Sequence, residues 1–308
     1  MSVVRIGTRA SALARTQSQI VADALTAATG LETELVPIRT EGDTSPAPLA
    51  QIGGTGVFVS ALREALLRGE VDLAVHSLKD LPTVPPEGIA LAAVPVREDP
   101  RDVVVARDAM TLGELPVGAR VGTGAPRRVA QLAALGLGIE LVGVRGNVDT
   151  RLGKVASGEL DAVVLARAGL ARLGRVDEAT EVLDPLQVLP APGQGALAVE
   201  CRADDDLRDV VHNALDDART RACVEAERTL LADLEAGCSA PVGALAEVAE
   251  GDLGDELWVR AVALSPDGAL SVRRSASGPL DHPVELGQKL AAEMLAEGAA
   301  ELINEPAK

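Results

Sequence analysis

Aromatic side chains are nearly missing from this sequence: one Phe, one Trp and no Tyr in 308 residues. A core without rings must be filled by Ala, Val and Leu, which suits helices packed on parallel strands. Cysteine is scarce as well. Cys201, Cys223 and Cys238 are widely spaced with no Cys-x-x-Cys, which argues against a disulfide framework and against a cysteine metal site. The three His, at 76, 212 and 282, are equally scattered, so no metal centre is expected. Long apolar runs are missing too, and residues 89–96 fall far short of the ~20 residues of a membrane span. The opening segment, residues 1–14, has no apolar stretch followed by a cleavage site. The cytosol is therefore the expected compartment.

Negative charge, by contrast, is in excess. The net charge of −17 argues against a nucleic-acid or anionic-membrane partner. Positive charge is almost all arginine, which supplies 25 of the 29 basic residues. Composition bias accounts for that total but not for where the arginines fall.

The first two-thirds of the chain alternates strand-like and helix-like segments. Residues 3–7, 32–38, 72–76 and 89–96 read as strands, with helices over 12–29 and 57–68. Residues 40–56 are rich in Gly, Pro, Ser and Thr and read as a mobile loop. The pattern restarts with strands near 103–106, 120–122, 140–142 and 162–165 and helices near 126–136 and 147–157. Such alternation predicts parallel sheets with helices on both faces. Residues 96–101 and 189–195 read as crossings between two lobes. A strand over 196–201 returns toward the first lobe, and helices follow near 204–214 and 217–235. The last part changes character, with an antiparallel meander over 242–248, 257–264 and 270–276 and a final helix over 284–296.

Several cations share one position relative to these strands. Arg9 follows the first strand, and Lys79 the strand ending at His76. Arg127 and Arg128 open a helix after Val121-Gly-Thr-Gly124. Arg145 and Arg151 flank a strand-to-helix turn, and Arg172 lies beyond the strand ending at Leu165. Ligands of open α/β sheets bind beyond the carboxyl ends of strands, where helix N-termini also attract anions. A single arginine is ordinarily a solvated surface residue, but this recurrence predicts an anion-binding cleft. The Gly-x-Gly of residues 122–124 lacks the third Gly and the acidic partner of a dinucleotide fingerprint. A carboxylate-binding turn is the better reading, because the planar fork of Arg pairs bidentately with carboxylates.

Three other residues stand out. Asp80, in His76-Ser-Leu-Lys-Asp80, either neutralises Lys79 or stands ready to stabilise a cation and shuttle a proton. Cys238 lies in a Gly-Cys-Ser-Ala-Pro loop after a helix and is a better nucleophile candidate than Cys201 or Cys223, which read as small core residues. Phe58 is either plain core or a ring that closes over a flat ligand.

Taken together, Arg5-Ile-Gly-Thr-Arg9, Gly53-Gly-Thr-Gly-Val-Phe58, His76-Ser-Leu-Lys-Asp80, Glu98-Asp-Pro-Arg-Asp102, Arg127-Arg128, Arg145-Gly-Asn-Val148, Pro192-Gly-Gln-Gly195 and Gly237-Cys238 resemble the hydroxymethylbilane synthase (porphobilinogen deaminase) family. The resemblance implies an α/β fold of two periplasmic-binding-protein-like (type II) lobes. A C-terminal α+β domain with a small antiparallel sheet completes it. The implied domains are 1–97 with 195–215, 98–194, and 216–308. It implies a transferase that joins four porphobilinogens into linear hydroxymethylbilane with loss of ammonia, each through an azafulvene cation. A dipyrromethane cofactor would be held covalently by a thioether at Cys238, with Asp80 as the catalytic carboxylate. Cofactor-binding positions are Lys79, Asp80, Thr123, Ala125, Arg127, Arg128 and Arg145. Substrate-binding positions are Arg9, Ser11, Phe58, Arg145, Arg151, Arg172 and Gln194. The family expectation is a monomer whose partner is its small-molecule substrate. Two stretches depart from relatives: Gly124-Ala125-Pro126 replaces a Ser-Ser-Leu, and Ser-Ala-Pro follows Cys238 where some have Gln-Val-Pro. The rival reading is a non-catalytic two-lobed anion-binding protein, which leaves the Cys238 loop and the third domain unexplained.

Overall fold

Three sheets organise the chain. A computed structural model describes residues 3–38, 59–84, 86–237, 240–251 and 254–304. The first sheet has β1 (Val4–Thr8), β2 (Thr33–Pro37), β3 (Leu73–Ser77), β4 (Ile89–Ala93) and β10 (Leu197–Arg202), in the order β2-β1-β3-β10-β4. The second has β5 (Asp102–Ala106), β6 (Arg120–Thr123), β7 (Glu140–Gly143), β8 (Ala162–Ala166) and β9 (Glu181–Val182), in the order β7-β6-β8-β5-β9. Both orders follow one scheme. The second strand of the lobe lies outermost, then come the first and third, then the strand that follows a crossing, then the last.

Helix α1 (Ala12–Thr29) shows why the local sequence folds as it does. The Ser11 hydroxyl accepts the Ala14 N–H at its start, and Gly30 ends it in the left-handed conformation at φ 73°. Its buried residues, Gln17, Ser18, Val21, Ala22 and Leu25, fall on one face. That face packs on the first sheet together with α6 (Leu207–Leu215), while α2 (Ser60–Leu67) covers the opposite side. In the second lobe α3 (Pro126–Ala134), α4 (Val148–Ala156) and α5 (Arg167–Arg172) flank the sheet, whose two faces feed separate aliphatic clusters.

The parallel sheets foreseen from the alternation are in fact mixed. Strand β10 runs antiparallel to β3 and β4, and β5 runs antiparallel to β8 and β9. Both β5 and β10 follow a crossing rather than a strand–helix–strand return. The rule that makes successive strands parallel does not govern them. Strand β4 also stops at Ala93, short of the foreseen Val96. The Val94 N–H goes instead to the Asp216 carboxylate at 2.7 Å, and Pro95 has no N–H to offer.

The third sheet is an antiparallel meander of β11 (Val242–Gly251), β12 (Gly254–Leu264) and β13 (Ser271–Pro279). One face buries against α7 (Ala218–Asp233), α8 (Pro283–Ala296) and α9 (Ala299–Asn304). On the other, Leu245, Val262 and Leu264 pack with Ala130 of α3 and Leu189. The chain divides into two compact units, 1–98 with 196–221, and 99–195 with 222–308. The second sheet and the meander therefore belong to one unit. Among the described residues, no helix is long and apolar enough to cross a membrane.

Candidate active site

In the first unit, β1 and β3 are parallel neighbours, so the residues that follow them leave the sheet on the same side. Arg9 follows β1 and is half-buried. The Ser11 hydroxyl oxygen accepts the Ala14 N–H at 3.3 Å, which leaves its own O–H as a donor. Lys79 and Asp80 sit in a one-turn 3-10 helix, Leu78–Asp80, directly after β3. That turn is anchored by its apolar residues. Leu78 is fully buried and donates its N–H to Ala196 O at 3.0 Å, and Leu81 closes the turn onto Leu78 O at 3.1 Å. Asp80 is half-buried, and its carboxylate accepts no hydrogen bond and forms no ion pair among the described residues. The backbone alone therefore aims it.

In the second unit, Thr123 ends β6 and is buried, and its hydroxyl oxygen accepts the Ala125 N–H at 3.4 Å. Gly124 passes so close to β7 that an added Cβ would lie 2.5 Å from Val144 O. Only glycine allows that approach. Ala125 is the N-cap of α3, and Pro126 opens the helix where no N–H is needed.

Arg127 and Arg128 turn inward from this helix and are 4% and 5% exposed. Both hold one carboxylate, Asp102, which heads β5 and is fully buried. Arg127 Nη2 donates to Asp102 Oδ2 at 2.8 Å and Arg128 Nη2 to Oδ1 at 2.7 Å. Gln194 Nε2 adds a third donor to Oδ1 at 2.7 Å and also reaches Pro100 O at 2.6 Å. The other terminal nitrogens go to the backbone, Arg127 Nη1 to Leu189 O and Arg128 Nη1 to Val164 O. Burial works against ionisation of Asp102, but the two guanidiniums outweigh it and hold its carboxyl far below the usual range. Burial also pushes the Arg127 guanidinium down.

One donor in this cluster is left over. Arg128 Nε is buried and has no hydrogen-bond partner among the described residues. Arg151, on α4, donates its Nε to Gly146 O at 2.9 Å and has no acidic partner among the described residues. Burial, and then the charge of Arg128, push its guanidinium below the ordinary arginine value. Asn147 caps α4 by accepting the Thr150 N–H at 2.9 Å, which leaves Arg145 exposed in the loop before it. Arg172 Nη2 donates to Gly195 O at 2.6 Å. Arg127 and Arg128 thus share one carboxylate, and Arg151 adds a third, half-buried cation within the electrostatic reach of Arg128. An orphaned donor and an excess of cations fit an anionic ligand.

Two buried carboxylates, Asp102 and Glu200 of β10, are given no role by the sequence alone. Asp102 was noticed only as the end of a motif, and Glu200 was not singled out. Their signal was present: each is an acid within an otherwise apolar strand, Asp102-Val-Val-Val-Ala and Leu197-Ala-Val-Glu-Cys. Buried acids require paired cations. Cys238 and Phe58 lie outside the described residues, as does the loop foreseen over 40–56. Cys201 and Cys223 are buried, and burial, followed by the charge of Asp205, pushes the Cys201 thiol up to about 11. Such a thiol is unreactive.

Residues 4–209 match the family model for the dipyrromethane cofactor-binding domain of porphobilinogen deaminase, and residues 221–296 match that for its C-terminal domain. The chain belongs to the porphobilinogen deaminase family. It is 62% identical over 314 residues to porphobilinogen deaminase 1 of Streptomyces coelicolor, an alignment covering 99% of this chain and 98% of the relative. It is 59% identical over 306 residues to porphobilinogen deaminase of Mycobacterium tuberculosis, covering 98% of each. The cofactor-binding domain of the porphobilinogen deaminase family thus takes in both five-stranded sheets, and its C-terminal domain the meander. Among solved structures, the chain is similar to the VFT2 domain of Bordetella pertussis BvgS, with a TM-score of 0.44, 20% identity, and coverage of 69% of this chain and 86% of that one. It is also similar to the methionine-binding protein MetQ, with a TM-score of 0.43, 12% identity, and coverage of 68% and 89%.

Proposed function

We propose that this chain joins four porphobilinogen molecules head to tail into linear hydroxymethylbilane, with release of ammonia, in tetrapyrrole biosynthesis. The observation that carries this reading is a carboxylate, Asp80, without a partner among the described residues, in a chain of this family that also holds more buried and half-buried cations near Arg128 than acids to match them. Every pyrrole of substrate and product bears an acetate and a propionate, so the ligand is a polyanion. The dipyrromethane cofactor, when bound, supplies the free α-carbon from which the product grows.

The chain's own residues then divide the work. Arg128 Nε, Arg151 and Arg145 take ligand carboxylates, together with Thr123 and the Ala125 N–H, and Lys79 takes others. Arg127 and Gln194 act in part through Asp102, which accepts from Arg127 Nη2 and Gln194 Nε2. Arg9, Ser11 and Arg172 hold the incoming substrate. Asp80 accepts hydrogen bonds from pyrrole N–H groups and stabilises the cation that substrate becomes on losing ammonia. With no competing partner among the described residues, the Asp80 carboxylate can also receive the proton that the attacked α-carbon loses as its pyrrole regains aromaticity. Cys238 provides the thioether, and Phe58 packs near the growing product. The three-domain division at residues 97, 194 and 215, a monomeric state and a cytoplasmic location belong to the same proposal.

Denatured intact mass tests it. Wild-type protein should carry the excess of two linked pyrroles, and Cys238→Ala should not. Asp80→Ala should keep the fold and lose turnover. Near-normal product formation by Asp80→Ala would remove the role assigned to that carboxylate.

A further inference from the structure

The first unit holds a buried ion cluster that the proposed chemistry does not use. Glu200, on β10, is 2% exposed. Arg63, on α2, grips it with both edges of its fork: Nε donates to Oε2 at 2.9 Å and Nη2 to Oε1 at 2.6 Å. His76, on β3, completes the cluster, with its Nε2 3.3 Å from Glu200 Oε2. Three elements meet there that no shared turn connects.

Its place in the sheet gives the cluster a purpose. His76 pairs with Ala198 and Ser77 with Leu197, and the next backbone bond runs from Leu78 N–H to Ala196 O. The β3–β10 ladder therefore runs without a break into the turn that carries Asp80. On the other side of β10 the pairing with β4 shifts register between Val199 and Glu200. Such irregularities re-aim side chains and loosen the local ladder. Glu200 sits at that break, and its two hydrogen bonds from Arg63 tie the strand to α2 where the backbone ladder slips, with His76 Nε2 packed beside it at 3.3 Å. A buried ion pair is weak evidence for stability, since apolar residues of the same volume often serve as well. Its distinctive contribution is a unique geometry.

We propose that Arg63, Glu200 and His76 act as positioning residues for Asp80, holding β10 and the end of β3 so that the Leu78–Asp80 turn presents its carboxylate in one orientation. No side chain among the described residues holds Asp80 directly, so a shift in this strand pair passes straight to the catalytic group. The inference rests on the catalytic role proposed for Asp80.

The test uses full-length enzyme with its cofactor, comparing Glu200→Gln, Arg63→Met, Arg63→Lys and Asp80→Ala. Loading is read by intact mass, folding by Tm, and kcat and KM are taken per loaded molecule. A misplacement of about 1 Å costs up to about 100-fold in rate. Glu200→Gln and Arg63→Met should lose about 10- to 100-fold in kcat, with KM within about twofold, and Arg63→Lys should recover most of that loss. A kcat per loaded molecule within about twofold of the parent for Glu200→Gln, or an Arg63→Lys no better than Arg63→Met, would overturn the proposal. Should Glu200→Gln not fold, His76→Gln decides by the same criteria, because it leaves the Arg63–Glu200 pair in place. If Asp80→Ala turns over normally, the role of Asp80 fails first. If Asp80→Ala is inactive and the Glu200 and Arg63 variants are normal, only the positioning role fails.

Discussion

Replacing Asp102 with Asn tests whether one buried carboxylate organises the cationic side of the site. Asp102 is fully buried and accepts from Arg127, Arg128 and Gln194 at 2.7–2.8 Å. Asn keeps the volume but removes the charge, and it turns an NH2 toward groups that are themselves donors. Two buried guanidiniums are then left without a counter-charge. Breaking a buried pair in this way costs about 3–5 kcal/mol. That is a large share of the roughly 5–15 kcal/mol that holds a domain together. For a unit of this size each kcal/mol moves Tm by about 2–4 °C, so the expected fall is roughly 6–20 °C. Thermal unfolding reads the stability, and intact mass reads cofactor loading, which should fall as Arg128 loses its orientation. The carboxyl is held far below its ordinary value, so its contribution is fully present above the unfolded pKa of about 4 and drains only as pH falls further. The Tm gap between parent and variant should therefore be constant from neutral pH to about pH 4 and narrow below it. A variant melting within about 2 °C of the parent at neutral pH, with full loading, would refute the argument.

Gly124→Ala should lower stability by about 1–3 kcal/mol and reduce cofactor loading, because the new Cβ meets the Val144 backbone carbonyl rather than a side chain that can move; normal loading at normal Tm would count against that close approach. Arg151→Met should leave Tm unchanged or raised, since burial and the neighbouring Arg128 both oppose its charge, while kcat/KM falls at least about tenfold; a loss of stability without loss of activity would reverse the assignment. The Glu200 carboxyl, which burial would raise, is brought down to about 2 by Arg63 and His76. Its stabilisation is present above the unfolded value of about 4.3 and disappears as pH falls toward 2, so the Tm gap between the parent and Glu200→Gln should close across that window. A gap that persists at pH 2 would mean that the pair contributes nothing through charge.

Helix α1 was legible in full, from Ala12 to Thr29, because every determinant is local: a serine cap, a one-sided apolar pattern and a terminal glycine. The meander was legible for a similar reason, its turn at Ser265-Pro-Asp-Gly268 being written in residues that favour turns. Features set by distant partners were not. The helices Arg167–Arg172 and Ala299–Asn304 each span six residues, too few for a periodic pattern to emerge. The end of β4 depends on Asp216, more than a hundred residues away in the chain. The directions of β5 and β10 follow from which strand each joins after a crossing, and no local pattern encodes that choice.

The site shows the same limit in a form that suggests a remedy. Counting arginines after strands located the right segments but treated every guanidinium as available to a ligand. Arg127 and Arg128 are adjacent and share a helix, and the terminal nitrogens of both go to Asp102 and to backbone oxygens of Leu189 and Val164, while Arg128 keeps a fully buried Nε without a partner among the described residues. That difference is made by partners elsewhere in the chain, so no inspection of the Arg-Arg pair alone could find it. The acids, however, are conspicuous in the sequence once they are sought inside apolar runs. Asp102 heads such a run and Glu200 interrupts one, and each is buried against two basic side chains. Glu227, on α7, follows the same rule with backbone donors, accepting the Gly193 and Ala246 N–H groups at 2.6 and 2.8 Å. A buried carboxylate without donors is too costly to persist, so each one identifies an internal obligation before any ligand is considered. Assigning cations to those acids first separates the terminal nitrogens of Arg63, Arg127 and Arg128, which the protein itself claims, from cations that no buried acid claims, Arg151 among them, which is a sharper forecast than a row of arginines beyond strand ends.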